Sequence, residues 1–234
     1  MLLYHPSAVP VERPLNLDAA AELRAEYFCR RRELGVLNIG GRGTITVDGT
    51  VFHMAHLDGL YVGRGAWEVV FASDDPAAPA RFFLVSFPGH AAHPTAHIRK
   101  DDAALVALGT DGGAHTRTIY KYIQPGGVKS CRLVMGFAQL AEGAVWNTMP
   151  PHTHPRRMEV YLYFGLPEGE RVFHFMGRPG ETRHLVVADG QVVVSPSWSP
   201  HSGIGTRAYA FCWGMGGENQ DFGDMDAVAT ADLR

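Results

Sequence analysis

The sequence predicts an all-β protein made of two antiparallel barrels of the jelly-roll type, with a few short helices. Three observations carry that expectation. Short segments rich in Val, Ile, Phe and Thr run from Gly35 to Val85, punctuated by Gly40-Gly41, Asp48-Gly49, Asp58-Gly59 and Gly63-Arg64-Gly65, the pattern of strands joined by tight turns. The same pattern returns from Thr116 to Gly216. Between them, Pro88 to His115 is richer in Gly, Ala, Pro and His and has no sustained periodicity. The expected organisation is a first barrel over residues 1–87, a linker over 88–115 and a second barrel over 116–234, a duplication of architecture with faint sequence likeness between the halves.

Each element follows from local chemistry. Asp18 is a good N-cap and Ala19-Ala20-Ala21-Glu22-Leu23-Arg24 has high helix propensity, so a short helix is expected over Asp18 to Glu26. Thr44-Ile45-Thr46-Val47 alternates and leads into Asp48-Gly49, a favoured two-residue hairpin turn. Asp102 to Leu108 reads as a helical turn or two within the linker. In the second half, strands are expected over Arg132–Ala138, Glu159–Phe164, Val172–Met176, His184–Val187, Val192–Val194 and Ala208–Trp213. The polar, Ala-rich end from Glu218 to Arg234 reads as a short helix or a docked tail.

Composition narrows the function classes. With 46% hydrophobic and 19% charged residues, 234 residues can bury a substantial core. A net charge of -3 with scattered Lys and Arg offers no field for a phosphate backbone, so nucleic acid is not an expected partner. The start, Met1-Leu2-Leu3-Tyr4-His5-Pro6, lacks the basic and long apolar regions of an export signal, and no apolar run reaches membrane-spanning length. Cys29, Cys131 and Cys212 are odd in number and without CxxC spacing. A cytoplasmic location is expected.

The sharpest signal is Gly143-x8-His152-Thr153-His154-x4-Glu159-x5-Gly165, followed by Gly190-x5-Pro196-x4-His201. Residues i and i+2 of a strand point to one face, so His152 and His154 can both enter a barrel lumen. If the next strand begins near Arg157, then Arg157, Glu159 and Tyr161 share a face. His201 arrives from another strand after Pro196-Ser197-Trp198-Ser199-Pro200. Three imidazoles and one carboxylate suit one divalent first-row ion. His90, His93, His97 and His115 lack such strand support and read as loop histidines.

This order of ligands resembles the cupin superfamily, whose first motif carries His-x-His and a following Glu and whose second carries a final His. The first half resembles only the second motif, in Gly59-x3-Gly63-x-Gly65-x2-Glu68, with Glu68 where the ligand His would stand. The first barrel is therefore expected to be metal-free. A closer resemblance is carried by Arg32-Glu33-Leu34-Gly35-Val36-Leu37-Asn38-Ile39-Gly40-Gly41, Asp58-Gly59-Leu60-Tyr61-Val62-Gly63, Trp146-Asn147-Thr148-Met149-Pro150, Arg156-Arg157-Met158-Glu159-Val160-Tyr161 and Trp213-Gly214-Met215-Gly216-Gly217-Glu218-Asn219-Gln220. These segments are similar to the 5-keto-4-deoxyuronate isomerases of pectin breakdown. The resemblance implies a bicupin, zinc on His152, His154, Glu159 and His201, and a homohexamer. It also implies isomerisation of 5-dehydro-4-deoxy-D-glucuronate to 3-deoxy-D-glycero-2,5-hexodiulosonate.

For that reaction the proton carrier stays open between Glu218, His184 and a metal-bound hydroxide, and a hydride shift needs none. A uronate carboxylate needs a cation. Arg157 is the first candidate because its parity matches Glu159, and Lys121 and Arg183 follow. A metal-dependent dioxygenase and a non-catalytic sugar-binding bicupin are the competing readings. No Gly-rich dinucleotide loop is present, so no nicotinamide cofactor is expected.

Overall fold

The computed structural model describes residues 7–19, 23–110 and 113–234. It is all-β, with four antiparallel sheets. The chain forms two compact units: residues up to Ala103 together with Tyr122–Leu133, and Ala104–Lys121 together with Val134–Arg234.

In the first unit a five-stranded sheet runs in the order Ser7–Ala8, Phe82–Pro88, Arg32–Asn38, Gly59–Val62, Ala96–Ile98. A four-stranded sheet has the order Leu15–Asn16, Val69–Ser73, Gly43–Val47, Thr50–Met54. The Asp48-Gly49 hairpin forms as expected. Both residues take positive φ, 48° and 82°, the backbone of a turn whose twist matches that of its flanking strands. Ile45 and Val47 turn inward while Thr44 and Thr46 are half-buried. They join Leu34, Val36, Phe71 and Phe82 in one apolar cluster. One charge sits beside this core: Glu33 is fully buried. Its carboxylate accepts from Tyr61 Oη at 2.9 Å and from the backbone N–H groups of Cys131, Arg132 and Leu133 at 2.6, 2.7 and 2.8 Å. Four donors to one carboxylate fix the 131–133 segment onto this unit. Glu68 is exposed.

The second unit has a six-stranded sheet, Ala104–Leu108, Arg117–Ile123, Val134–Leu140, Ala210–Gly217, Arg157–Phe164, Val192–Ser195. Opposite it lies a five-stranded one, Glu181–Val187, Val172–Arg178, His201–Gly205, Trp146–Thr153, Asp226–Ala227. Val134, Tyr161, Tyr163, Phe211 and Trp213 belong to its apolar core.

Two expectations change. The stretch 88–115, read as a linker, contributes two paired strands: Ala96–Ile98 pairs with Gly59–Val62, and Ala104–Leu108 pairs with Arg117–Ile123 from Ala104↔Lys121 to Leu108↔Arg117. The apolar run Ala104-Leu105-Val106-Ala107-Leu108 is an edge strand instead of helical turns, because a run this short has no period that separates the two and pairing decides. The helix expected over Asp18 to Glu26 falls partly on residues 20–22, which lie outside the described residues. The C-terminal stretch is a docked tail, with the strand Asp226–Ala227 paired to His152 and Thr153.

Candidate metal centre and cavity

Three strands bring the four ligand candidates together. The strand Trp146–Thr153 carries His152 and leads into His154. Arg157–Phe164 carries Glu159, and His201 opens His201–Gly205. Pairing sets the positions: His152 lies across from His201, and Glu159 across from Ser195. The register shifts between Asn147 and His152, where Thr148 takes φ 51°. Such an irregularity re-aims the side chains beyond it.

The ligand atoms of His152, His154, Glu159 and His201 all lie within 4.8 Å of one another. His152 Nε2 is 3.1 Å from His154 Nε2. Glu159 Oε2 is 3.0 Å from both His154 Nε2 and His201 Nε2. Yet Glu159 Oε2 and His201 Nε2 are buried without a hydrogen-bond partner among the described residues. The outer ring nitrogens explain the arrangement. His152 Nδ1 donates to the carbonyl of Pro150 at 3.2 Å and His154 Nδ1 to that of Asp224 at 3.0 Å. His201 Nδ1 meets Ser195 Oγ at 3.2 Å. Since carbonyls only accept, the Nε2 lone pairs of His152 and His154 point inward in the neutral rings. Inward lone pairs, an orphaned carboxylate oxygen and outer nitrogens held by partners make a donor set that fits a divalent cation.

Electrostatics agree. Burial first, then the neighbouring His201, pushes the His152 imidazole down to about 4, against the pull of Glu159. That ring is neutral at physiological pH and has a lone pair to give. Burial drives the Glu159 carboxyl upward, but the neighbouring His201 and His154 outweigh it and hold it well below the usual carboxylate range.

The centre opens into a cavity of about 310 Å³. Ile119, Ala138, Phe211, Trp213 and Met215 give it apolar walls, and Phe222, Gly223, Met225 and Ala227 of the C-terminal tail cover it. Its polar lining besides His152, His154 and Glu159 is Arg117, Thr148 and Tyr161. Thr148 Oγ1 approaches Tyr161 Oη at 3.5 Å, and burial keeps the Tyr161 hydroxyl well above its ordinary pKa, so it stays protonated.

The other expected site residues lie elsewhere. Arg157 shares burial with Glu159 and Tyr161, but its guanidinium donates to the carbonyls of Asp221, Phe222 and Asp224 at 2.6, 3.3 and 3.2 Å. The tail crosses the start of the strand and takes these donors away from the cavity. Lys121 Nζ stands 4.2 Å over the ring of Phe222. Arg183 pairs with Glu181 at 3.1 Å on the surface. Glu218 is exposed. His184 is exposed as well, with its ring 5.8 Å from that of Phe173. None of these five lines the cavity. Sequence reasoning missed Arg117, although it has the same strand parity as Ile119 and Lys121. It missed Thr148 too, whose positive φ left no mark in the sequence.

A β fold of this type with a His/His/Glu/His cluster defines a cupin-type protein with a candidate metal centre. The chain belongs to the KduI/IolB family, which its residues 10–230 match. It is 58% identical over 228 residues to the 4-deoxy-L-threo-5-hexosulose-uronate ketol-isomerase of Lachnoclostridium phytofermentans, covering 97% of this chain and 83% of the relative. It is 53% identical over 228 residues to the enzyme of the same name from Escherichia coli O45:K1, covering 97% and 82%. Among solved structures it resembles an IolB-like protein from Salmonella typhimurium with a TM-score of 0.76 at 14% identity, over 95% of this chain and 86% of that one. It also resembles an oxalate decarboxylase from Lactobacillus farciminis with a TM-score of 0.60 at 10% identity, over 86% and 74%. At such identities these two establish the fold alone.

Proposed function

We propose that this protein is a metal-dependent ketol-isomerase acting on 5-dehydro-4-deoxy-D-glucuronate and yielding 3-deoxy-D-glycero-2,5-hexodiulosonate, in the catabolism of pectin-derived uronates. The observation that carries the reading is the convergence of His152, His154, Glu159 and His201 beside a cavity that the first three line, in a chain 58% identical to a relative of that name. Zinc suits three imidazoles and one carboxylate. Bound there, a divalent ion supplies polarisation of the vicinal carbonyl and hydroxyl oxygens of an open-chain 2-hydroxyaldehyde.

The chain's own residues do the rest. Pro150, Asp224 and Ser195 fix the three imidazole planes, so the donor set is organised before substrate arrives. Phe211, Trp213, Met215 and Phe222 exclude water from the reacting carbons. The protonated Tyr161 hydroxyl is a hydrogen-bond donor for a substrate oxygen.

Two features of the setting belong to the same reading. Leu105 on the edge strand Ala104–Leu108 and Leu185 and Val186 on the edge strand Glu181–Val187 are exposed, and apolar edges of this kind suit pairing with further copies in a homo-oligomer, a hexamer by family resemblance. The three cysteines are free, which suits the cytoplasm. No helix among the described residues is long and apolar enough to cross a membrane.

The test is direct. Purified protein loaded with zinc is incubated with the keto-deoxyuronate without oxygen, and the carbonyl protons are followed by NMR. Conversion is expected, with loss on chelation and recovery when zinc is restored. An unchanged uronate together with oxygen uptake on another substrate would replace this reading with that of a dioxygenase.

A further inference from the structure

We infer that Arg117 is the anchor for the carboxylate of the substrate and so makes the cavity selective for sugar acids over neutral sugars. The inference rests on the isomerase reading above and adds a residue to it. Arg117 lies at the start of the strand Arg117–Ile123, 7% exposed, in the wall of the cavity that His152, His154 and Glu159 also line. Among the described residues its guanidinium has one hydrogen bond, Nη1 to the carbonyl of His115 at 2.9 Å, and no carboxylate partner. A buried guanidinium retained without a counter-ion is a site for an anion, and its planar fork matches a carboxylate. Burial lowers its pKa, and the nearby Tyr161 and Tyr209 act the other way.

The rest of the cavity strengthens the assignment. Arg117 is the one Lys or Arg among the described residues that line it. The alternatives have other partners: Arg157 on three backbone carbonyls, Lys121 on the Phe222 ring and Arg183 on Glu181. The walls beside Arg117 are apolar, so an ion pair there is weakly screened. A six-carbon uronate carries its carboxylate at the far end from the C1 and C2 oxygens. One molecule would therefore offer a chelating pair to an ion held by His152, His154, Glu159 and His201 and an anion to Arg117, while a neutral sugar would offer only the first.

The experiment compares Arg117→Met and Arg117→Lys with wild type, all zinc-loaded and checked by circular dichroism and metal content. Substrates are the keto-deoxyuronate and its counterpart with a primary alcohol in place of the carboxylate. Arg117→Met is expected to raise KM for the acid by about a hundredfold, with kcat changed only a few-fold and the neutral compound unaffected. Arg117→Lys should recover part of the loss, because a point charge replaces the fork. An equal loss on acid and neutral compound, or a KM for the acid within twofold of wild type, would overturn the assignment. A second arm needs no turnover: quenching of tryptophan fluorescence is titrated with gluconate and with glucitol. Wild type should bind the acid at least about tenfold tighter, and Arg117→Met should abolish that difference. A preference for the acid that persists in the variant would overturn the role of Arg117. Failure of wild type to isomerise the uronate would instead remove the isomerase reading and leave this binding comparison to decide on Arg117.

Discussion

His154 donates its Nδ1 proton to the backbone carbonyl of Asp224, 3.0 Å away and 70 residues further along the chain. The contact ties a metal-ligand candidate to the C-terminal tail. The tail in turn is held by Arg156, whose Nε reaches both carboxylate oxygens of Asp224 at 2.8 and 2.9 Å, and by Asn219 at 2.6 Å.

Arg156→Ala should therefore weaken the centre without touching a ligand. The Arg156–Asp224 pair is solvent-facing and screened by salt, so the effect acts through the position of the tail. Zinc affinity, read by competition with a chromophoric chelator, is expected to fall by up to about tenfold, and proteolytic cutting within 219–234 should become faster. Unchanged affinity would mean that the Asp224 carbonyl holds its place without Arg156.

Glu33 offers a test of the first unit. Removing a buried carboxylate that serves four donors takes this acceptor from Tyr61 and from three backbone N–H groups. Glu33→Ala should lower stability by about 3–5 kcal/mol in urea denaturation. Glu33→Gln should lose less, because one oxygen still accepts while the new amide group faces donors. Wild-type stability in Glu33→Gln would show that the charge is dispensable.

His174 predicts an acid weakness. It is fully buried with Nδ1 2.6 Å from Tyr163 Oη, and burial pushes its imidazole from 6.5 down to about 3. The unfolded chain takes up this proton before the folded one. The contribution is thus complete above pH 6.5 and is lost as pH falls toward 3, on the order of a few kcal/mol in all. The stability advantage of wild type over His174→Gln, measured at pH 7.5 and 4.5, should shrink at the lower pH. A constant advantage would place the proton elsewhere.

Thr148 separates strain from chemistry. A β-branched residue at φ 51° is held at a cost of about 1–3 kcal/mol. Thr148→Gly relieves that strain and Thr148→Val keeps it, and both lose the hydroxyl beside Tyr161. The glycine variant should unfold at the higher temperature of the two, and both should turn over more slowly than wild type. The reverse order of melting temperatures would show that packing of the Thr148 side chain outweighs its backbone.

Much of the fold was legible because β structure writes a period of two into its residues. Thr44 to Val47 with Asp48-Gly49 specified a hairpin that forms, and the His152, His154, Glu159, His201 set is brought together as its order suggested. Legibility failed where partners come from far along the chain. Ala104 to Leu108 carries no period of its own and became a strand by pairing with Arg117–Ile123. Arg157 has the right parity for the lumen, but three carbonyls of residues 221–224 hold its guanidinium.

By itself the sequence determined the all-β class, the turn that sets the first hairpin and the four residues of the metal-centre candidate, because strand alternation and ligand spacing are local properties. Only the tertiary structure decided which cation faces the cavity, which carbonyls orient the imidazoles and what covers the site. Those outcomes depend on which distant backbone groups claim a donor first: Asp221, Phe222 and Asp224 engage Arg157, while Arg117 lines the cavity with a single carbonyl partner among the described residues.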